Sequence, residues 1–173
     1  MIYKKGNVVY IIKEATLITH AVIATQSGLK TVKGKVFIDA TGDGVLSYLA
    51  GETIDYGRKD GLVQPMSIMF TIEGVDPEQK LLCFHEEMDT PLNKGNFLEL
   101  CENASKTGEL PETVNIVRLY RGVVETERLV NATQVNTLNP LLPQDLGKAH
   151  AILRKQMKQI VDFLKNNVEG FEN

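Results

Sequence analysis

Three runs rich in branched residues, "VVYIIK" (8–13), "LITHAVIAT" (17–25) and "LKTV" (29–32), follow one another with breaks of only a few residues. Such breaks are too short for the crossover that a parallel pair requires, so the runs must pair as an antiparallel meander, with a turn at Gln26, Ser27 and Gly28. A fourth run, "KVFIDAT" (35–41), differs in kind. Its unbroken apolar stretch predicts a strand buried on both faces, as in a parallel sheet. It leads straight into Thr41, Gly42, Asp43 and Gly44 and then into a short apolar helix ending near Gly51.

Past Gly51 the sequence turns polar through "ETIDYGRKDG", the candidate boundary, and resumes as a strand in "MSIMFTIEGV" (66–75). The stretch "DPEQKLLCFHEEM" then predicts a helix, with Asp76 as cap, Pro77 in the first turn and Gln79 at the capping-box position. A second helix is predicted over Phe97 to Lys106, where Phe97, Leu100, Cys101 and Ala104 share a face and Gly108 supplies the stop. "VNIVRLY" and "ERLVNATQV" read as strands around a turn at Gly122. The clearest periodic signal is the last: Leu146, Ala149, Leu153, Met157, Ile160 and Leu164 recur at helical steps, with Lys148, Arg154, Lys158 and Lys165 on other faces. A basic amphipathic helix can also serve a membrane surface or calmodulin, but a packed stripe under a solvated face is the commoner reason for the pattern. The expected class is α+β, related to α/β folds: a meander with a closing strand, then a mixed β-sheet with flanking helices, divided into domains 1–58 and 59–173.

Composition bounds what such a chain can be. With 43% hydrophobic residues, 24% charged residues and a formal charge of −3, its 173 residues are ordinary for a globular protein able to bury a core without metals or disulfides. Lysines are spread along the chain, which gives no electrostatic footprint for nucleic acid. No apolar run approaches membrane-spanning length, and "MIYKKGNVVY" lacks the apolar centre of a signal peptide, so a cytoplasmic location is expected. Cys83 and Cys101 sit in apolar, helix-like stretches and read as reduced core residues.

The "TGDG" turn carries the most chemistry. Its glycines permit positive φ and close ligand approach, and free amides at the start of a helix favour phosphate oxygens. Asp43, when ionised, only accepts hydrogen bonds and therefore suits sugar or ribityl hydroxyls. A nucleotide-type cofactor offers both groups. The same residues also suit a plain strand-to-helix turn capped by Asp43, and spacing alone leaves both readings open. Two sharper readings fail on paper. Gly42, Gly44 and Ser47 approach G-x-G-x-x-G but lack its third glycine, and the helix is short for a βαβ crossover. Asp39, Thr41, Asp43 and Gly44 resemble half a calcium loop, but Ala50 stands where a bidentate glutamate is required; no metal site is expected. Elsewhere, His20, His85 and His150 are isolated, and the pairs Glu86 with Glu87 and Glu125 with Glu127 read as solvated faces. Arg118 and Arg121 are equally suited to a carboxylate or to solvent. No catalytic residue can be assigned by spacing.

The segments "GKVFIDATGDG", "AGETIDYGRKDGLVQPMSIMF" and "FLKNNVEGFEN" resemble the middle of the bacterial FAD-dependent oxidoreductase family, within the flavoprotein superfamily that includes fumarate reductase and glutathione reductase. The resemblance spans nearly the whole chain. It implies that residues 1–58 are part of an FAD-binding, Rossmann-like domain and residues 59–173 a substrate or cap domain. Ala40, Thr41, Gly42, Asp43 and Gly44 would line the cofactor site, and Tyr56, Gly57 and Arg58 would form the linker leaving that domain. Gln64, Pro65 and Met66 would begin a strand facing the flavin from the substrate side. At Gln134 the sequence departs from the family, which has an arginine there. Family members also carry a glycine-rich loop for the ADP half of FAD, with no counterpart here, and continue past the "GFEN" segment. The expectation is therefore an interior fragment: FAD belongs to the parent protein, and this chain alone holds it weakly or not at all, without turnover. The alternative is a non-catalytic binding module derived from the same fold. A small-molecule substrate is expected, with no nucleic-acid or membrane partner, and exposed edges would favour a homo-oligomer.

Overall fold

The computed structural model describes residues 5–84, 91–93 and 95–173. The fold is α+β, and it divides into two compact units, Met1–Tyr56 and Gly57–Asn173.

In the first unit the meander forms as the short breaks require. Strands β1 (Asn7–Glu14), β2 (Leu17–Thr25) and β3 (Gly28–Lys33) lie in that order, and both pairings are antiparallel. A register shift between Val8 and Tyr10 inserts Val9 as an extra residue, so Val8 and Ile11 both turn inward although three positions separate them. Ile11 and Ala21 meet Leu46 and Ala50 of helix α1 (Val45–Ala50) in a small core.

Residues 35–41 do not form the strand that their apolar run predicts. A strand needs a partner for its backbone groups, and none of the described strands pairs with this segment. Val36 and Ile38 are accordingly 79% and 85% exposed instead of buried on both faces.

The second unit is built on an antiparallel sheet of order β4-β6-β5, from β4 (Phe70–Ile72), β5 (Arg118–Arg121) and β6 (Arg128–Asn131). Val130 stands between Phe70 and Leu119 in the ladder and is fully buried. Helix α2 (Phe97–Thr107) starts where Asn96 Oδ1 accepts from Glu99 N at 2.7 Å and stops at Gly108, as its sequence predicts. Helix α3 (Pro143–Asn167) runs for 25 residues. Ala149, Leu153, Ile160 and Leu164 of its stripe are buried, whereas Leu146 is 48% exposed.

The helix expected after Asp76 is not formed in its described part. Asp76 and Pro77 open only a turn, closed by Glu78 N to Asp76 Oδ1 at 2.8 Å and Gln79 N to Asp76 O at 2.9 Å. Gln79 Oε1 accepts from Leu81 N, and its amide nitrogen donates to Glu169 O, so this side chain completes no capping box. Leu81 and Cys83 alternate inward as in a strand, and Cys83 exchanges backbone hydrogen bonds with Leu119 at 3.0 and 2.8 Å. Pairing beside β5 buries both residues, an outcome local capping signals do not report. His85, Glu86 and Glu87 lie outside the described residues.

Candidate functional site

The turn between residues 39 and 45 is organised by Asp39. Its Oδ1 accepts from Thr41 N at 3.1 Å and Thr41 Oγ1 at 2.7 Å, while Oδ2 accepts from Ser47 N and Ser47 Oγ, both at 2.8 Å. Thr41 Oγ1 in turn accepts from Val45 N at 2.8 Å. One carboxylate and one hydroxyl thus satisfy two of the amides that begin α1. Gly44, at φ 65°, occupies the cap position and makes no side-chain cap. Asp43 does not cap the helix, contrary to the plain-turn reading: its amide donates to Thr41 O at 2.6 Å, and the residue is exposed.

These Asp39 and Thr41 bonds, a latch on the turn, leave two of its amides unused. Among the described residues, Gly42 N–H and Gly44 N–H have no acceptor. A Cβ added at Gly42, where φ is 70°, would meet nothing within 4 Å. Ala40, Thr41, Gly42 and Asp43 are all exposed. Helix α1 has only six residues, so its dipole adds little and the two glycine amides are the available donors.

Hydrogen bonding to the ionised form holds the Asp39 carboxyl well below the usual carboxylate range. The Thr41 hydroxyl contributes most, then Ser47 N–H, against a smaller opposing effect of desolvation. Because the folded value is depressed, this group's stabilisation is full above its unfolded value of about 4 and is lost as pH falls through the folded value. Asp39→Asn replaces one acceptor oxygen with a donor and cannot hold both sets of bonds. We expect exchange of the Ser47 amide hydrogen to accelerate about tenfold or more, measured by hydrogen-exchange NMR; unchanged exchange would contradict the latch.

The remaining candidates are placed separately. Gln64 is exposed beside Pro65, while Met66 packs against the cluster of Val135, Ala149 and Leu153. Arg58 is paired with Asp60, whose carboxyl it holds at about 2. Cys83 and Cys101 are buried free thiols, and burial pushes Cys101 up to about 12, which suits packing and not nucleophilic attack. His20 Nδ1 lies 3.0 Å from Thr19 Oγ1, and His150 is exposed on α3. Among the described residues no three metal-ligating side chains converge, and no helix is long and apolar enough to cross a membrane.

One residue differs from its sequence reading, and a second has none. Glu127 is not merely part of a solvated face, because its carboxylate closes the turn after β5 by accepting from Val123 N at 2.9 Å. Arg128, which composition and spacing did not single out, is 3% exposed and holds four backbone carbonyls. Its parity with Val130 on β6 is the signal that points it inward.

Comparison with known protein families places the chain in a class defined by its cofactor. The family model for FAD dependent oxidoreductases matches residues 2–173. The chain belongs to the FAD-dependent oxidoreductase family. No curated protein and no solved structure matches it.

Proposed function

We propose that residues 39–51 form one wall of an FAD site in an oxidoreductase of the superfamily that includes fumarate reductase and glutathione reductase. The observation that carries this reading is the set of Asp39 hydrogen bonds, which fixes the turn while Gly42 N–H and Gly44 N–H remain unpaired. These donors suit the phosphate or carbonyl oxygens of the cofactor, and the space beside Gly42 lets it approach the backbone. Asp43 accepts from a ribityl or ribose hydroxyl, for which an exposed carboxylate is suited. FAD supplies the hydride or electron chemistry when bound; the residues of this turn hold and orient it. Residues 59–173 form the substrate side, with Gln64 and Met66 at its start.

An exposed turn surrounds little of a ligand, whereas binding sites usually cover most of one. FAD is therefore expected to bind the 173-residue chain only weakly. Titration with FAD, followed by flavin fluorescence, should give a weak saturable signal. Asp43→Ala should reduce the affinity by about fivefold to tenfold, the scale of one hydrogen bond to a charged group. Equal affinity for both proteins would remove Asp43 from the site.

A further inference from the structure

The second unit contains a cleft of about 540 Å³ whose walls carry Gln64, Gln134 and Asn136. Among the described residues, none of these three side-chain amides has a hydrogen-bond partner in the protein, and Asn136 Oδ1 is buried without one. A buried carbonyl oxygen left unpaired is costly, and its need is for a donor. The lining also includes Val63 and Pro65, which present an apolar surface beside the amides.

The walls are fixed. Met66 and Val135 exchange backbone hydrogen bonds at 3.1 and 2.9 Å, and Thr133 Oγ1 both donates to Ile68 O and accepts from Ile68 N. Behind Gln134, the amide of Gln156 on α3 pairs with both backbone groups of that residue, at 2.8 and 3.0 Å. The buried Gln156 thus positions the strip from which Gln134 and Asn136 line the cleft. At the other wall Gly57 has φ 66°, and a Cβ there would lie 2.7 Å from Leu62 O, so the loop over Arg58–Leu62 closes only around glycine.

Charge narrows the ligand. Arg58, the cation in the lining, has its guanidinium committed to Asp60 through Nε to Oδ1 at 3.1 Å and through a second, shorter contact. That leaves an essentially neutral cleft in which the Gln64 and Gln134 amides can each donate and accept, beside the buried, unpaired Asn136 oxygen. Vicinal hydroxyls do the same, and their carbon skeleton offers an apolar face to Val63 and Pro65. We propose that this cleft binds a neutral polyhydroxylated small molecule of the sugar or polyol class; the proposal shares Gln64 with the substrate side described above and rests on that reading of residues 59–173, not on the 39–51 turn.

The test is a titration of the 15N-labelled chain with D-glucose and with myo-inositol, read at the side-chain NH2 resonances of Gln64, Gln134 and Asn136. At least one of the two should shift these resonances saturably with a millimolar dissociation constant, as a small polar ligand in a half-open site requires. Gln64→Leu, at an exposed position, should weaken binding by about fivefold or more. No saturable shift with either compound up to about 0.1 M, where even very weak sites fill, would overturn the proposal. So would an unaltered affinity in Gln64→Leu, or shifts caused by FAD and by neither polyol. None of these results bears on Gly42 and Gly44, whose own resonances report the flavin turn.

Discussion

Phe97→Ala is expected to destabilise the second unit by about 3–5 kcal/mol, the range for emptying a buried aromatic position. Phe97 is the first residue of α2 and has no exposed surface. It belongs to the cluster that joins α2, α3 and the sheet, with Cys101, Leu119, Val130, Ile160 and Leu164. Removing the ring leaves a cavity that neighbours on two helices and a sheet cannot all move to fill. Since domains of this size are stable by only about 5–15 kcal/mol, the loss is a large share of the total. Denaturant unfolding measures it, and Phe97→Leu should cost much less because most of the volume is kept. A cost below about 1 kcal/mol for the alanine variant would mean that Phe97 is not a centre of the core.

Arg128→Met comes next, with an expected loss of about 2–4 kcal/mol. The guanidinium donates to Glu125 O at 2.8 Å, Glu127 O at 2.7 Å, Leu81 O at 3.3 Å and, at short range, Gln79 O. One side chain therefore ties the segment before Cys83 and the turn before β6 to the sheet. Burial, chiefly, lowers the pKa of the guanidinium, yet an arginine stays charged throughout the usable pH range. Methionine fills the stem's volume but leaves the four carbonyls without their donor. Lysine restores the charge and cannot span the same carbonyls, so Arg128→Lys should recover only part of the loss. Full recovery by lysine would show that charge, and not the fork of donors, is what the site needs.

Legibility followed how local each signal was. The meander is set by breaks too short for any other connection, and α3 by a stripe repeated along 25 residues, so both were readable. Helix α2 carries its stripe and its Gly108 stop within one short segment. The two misreadings share a cause. At 76–84 the capping residues were present, but backbone pairing between Cys83 and Leu119, 36 positions away, decided the conformation. At 35–41 the apolar run was present and no described strand pairs with it.

The candidate site shows the same division. Its glycines and acidic residues stood out in the sequence, but the roles of Asp39 and Asp43 did not. An Asp-x-Thr spacing signals a local turn bonded from the aspartate; only the fold shows that the same carboxylate also reaches Ser47, eight positions on. The fixed pairing of Gln156 with Gln134 was likewise invisible, because a glutamine on a helix face reads as surface until its partner is placed.

Contact between the 39–45 turn and the flavin cofactor is read most directly by a 1H–15N spectrum of the chain during titration with FAD. Saturable shifts of the Gly42, Asp43 and Gly44 amide resonances are expected, larger than those on β3, and lost in Asp39→Asn. Unmoved glycine resonances while FAD binds elsewhere, or no change at all up to millimolar FAD, would contradict it and leave the turn as a strand-to-helix connection alone.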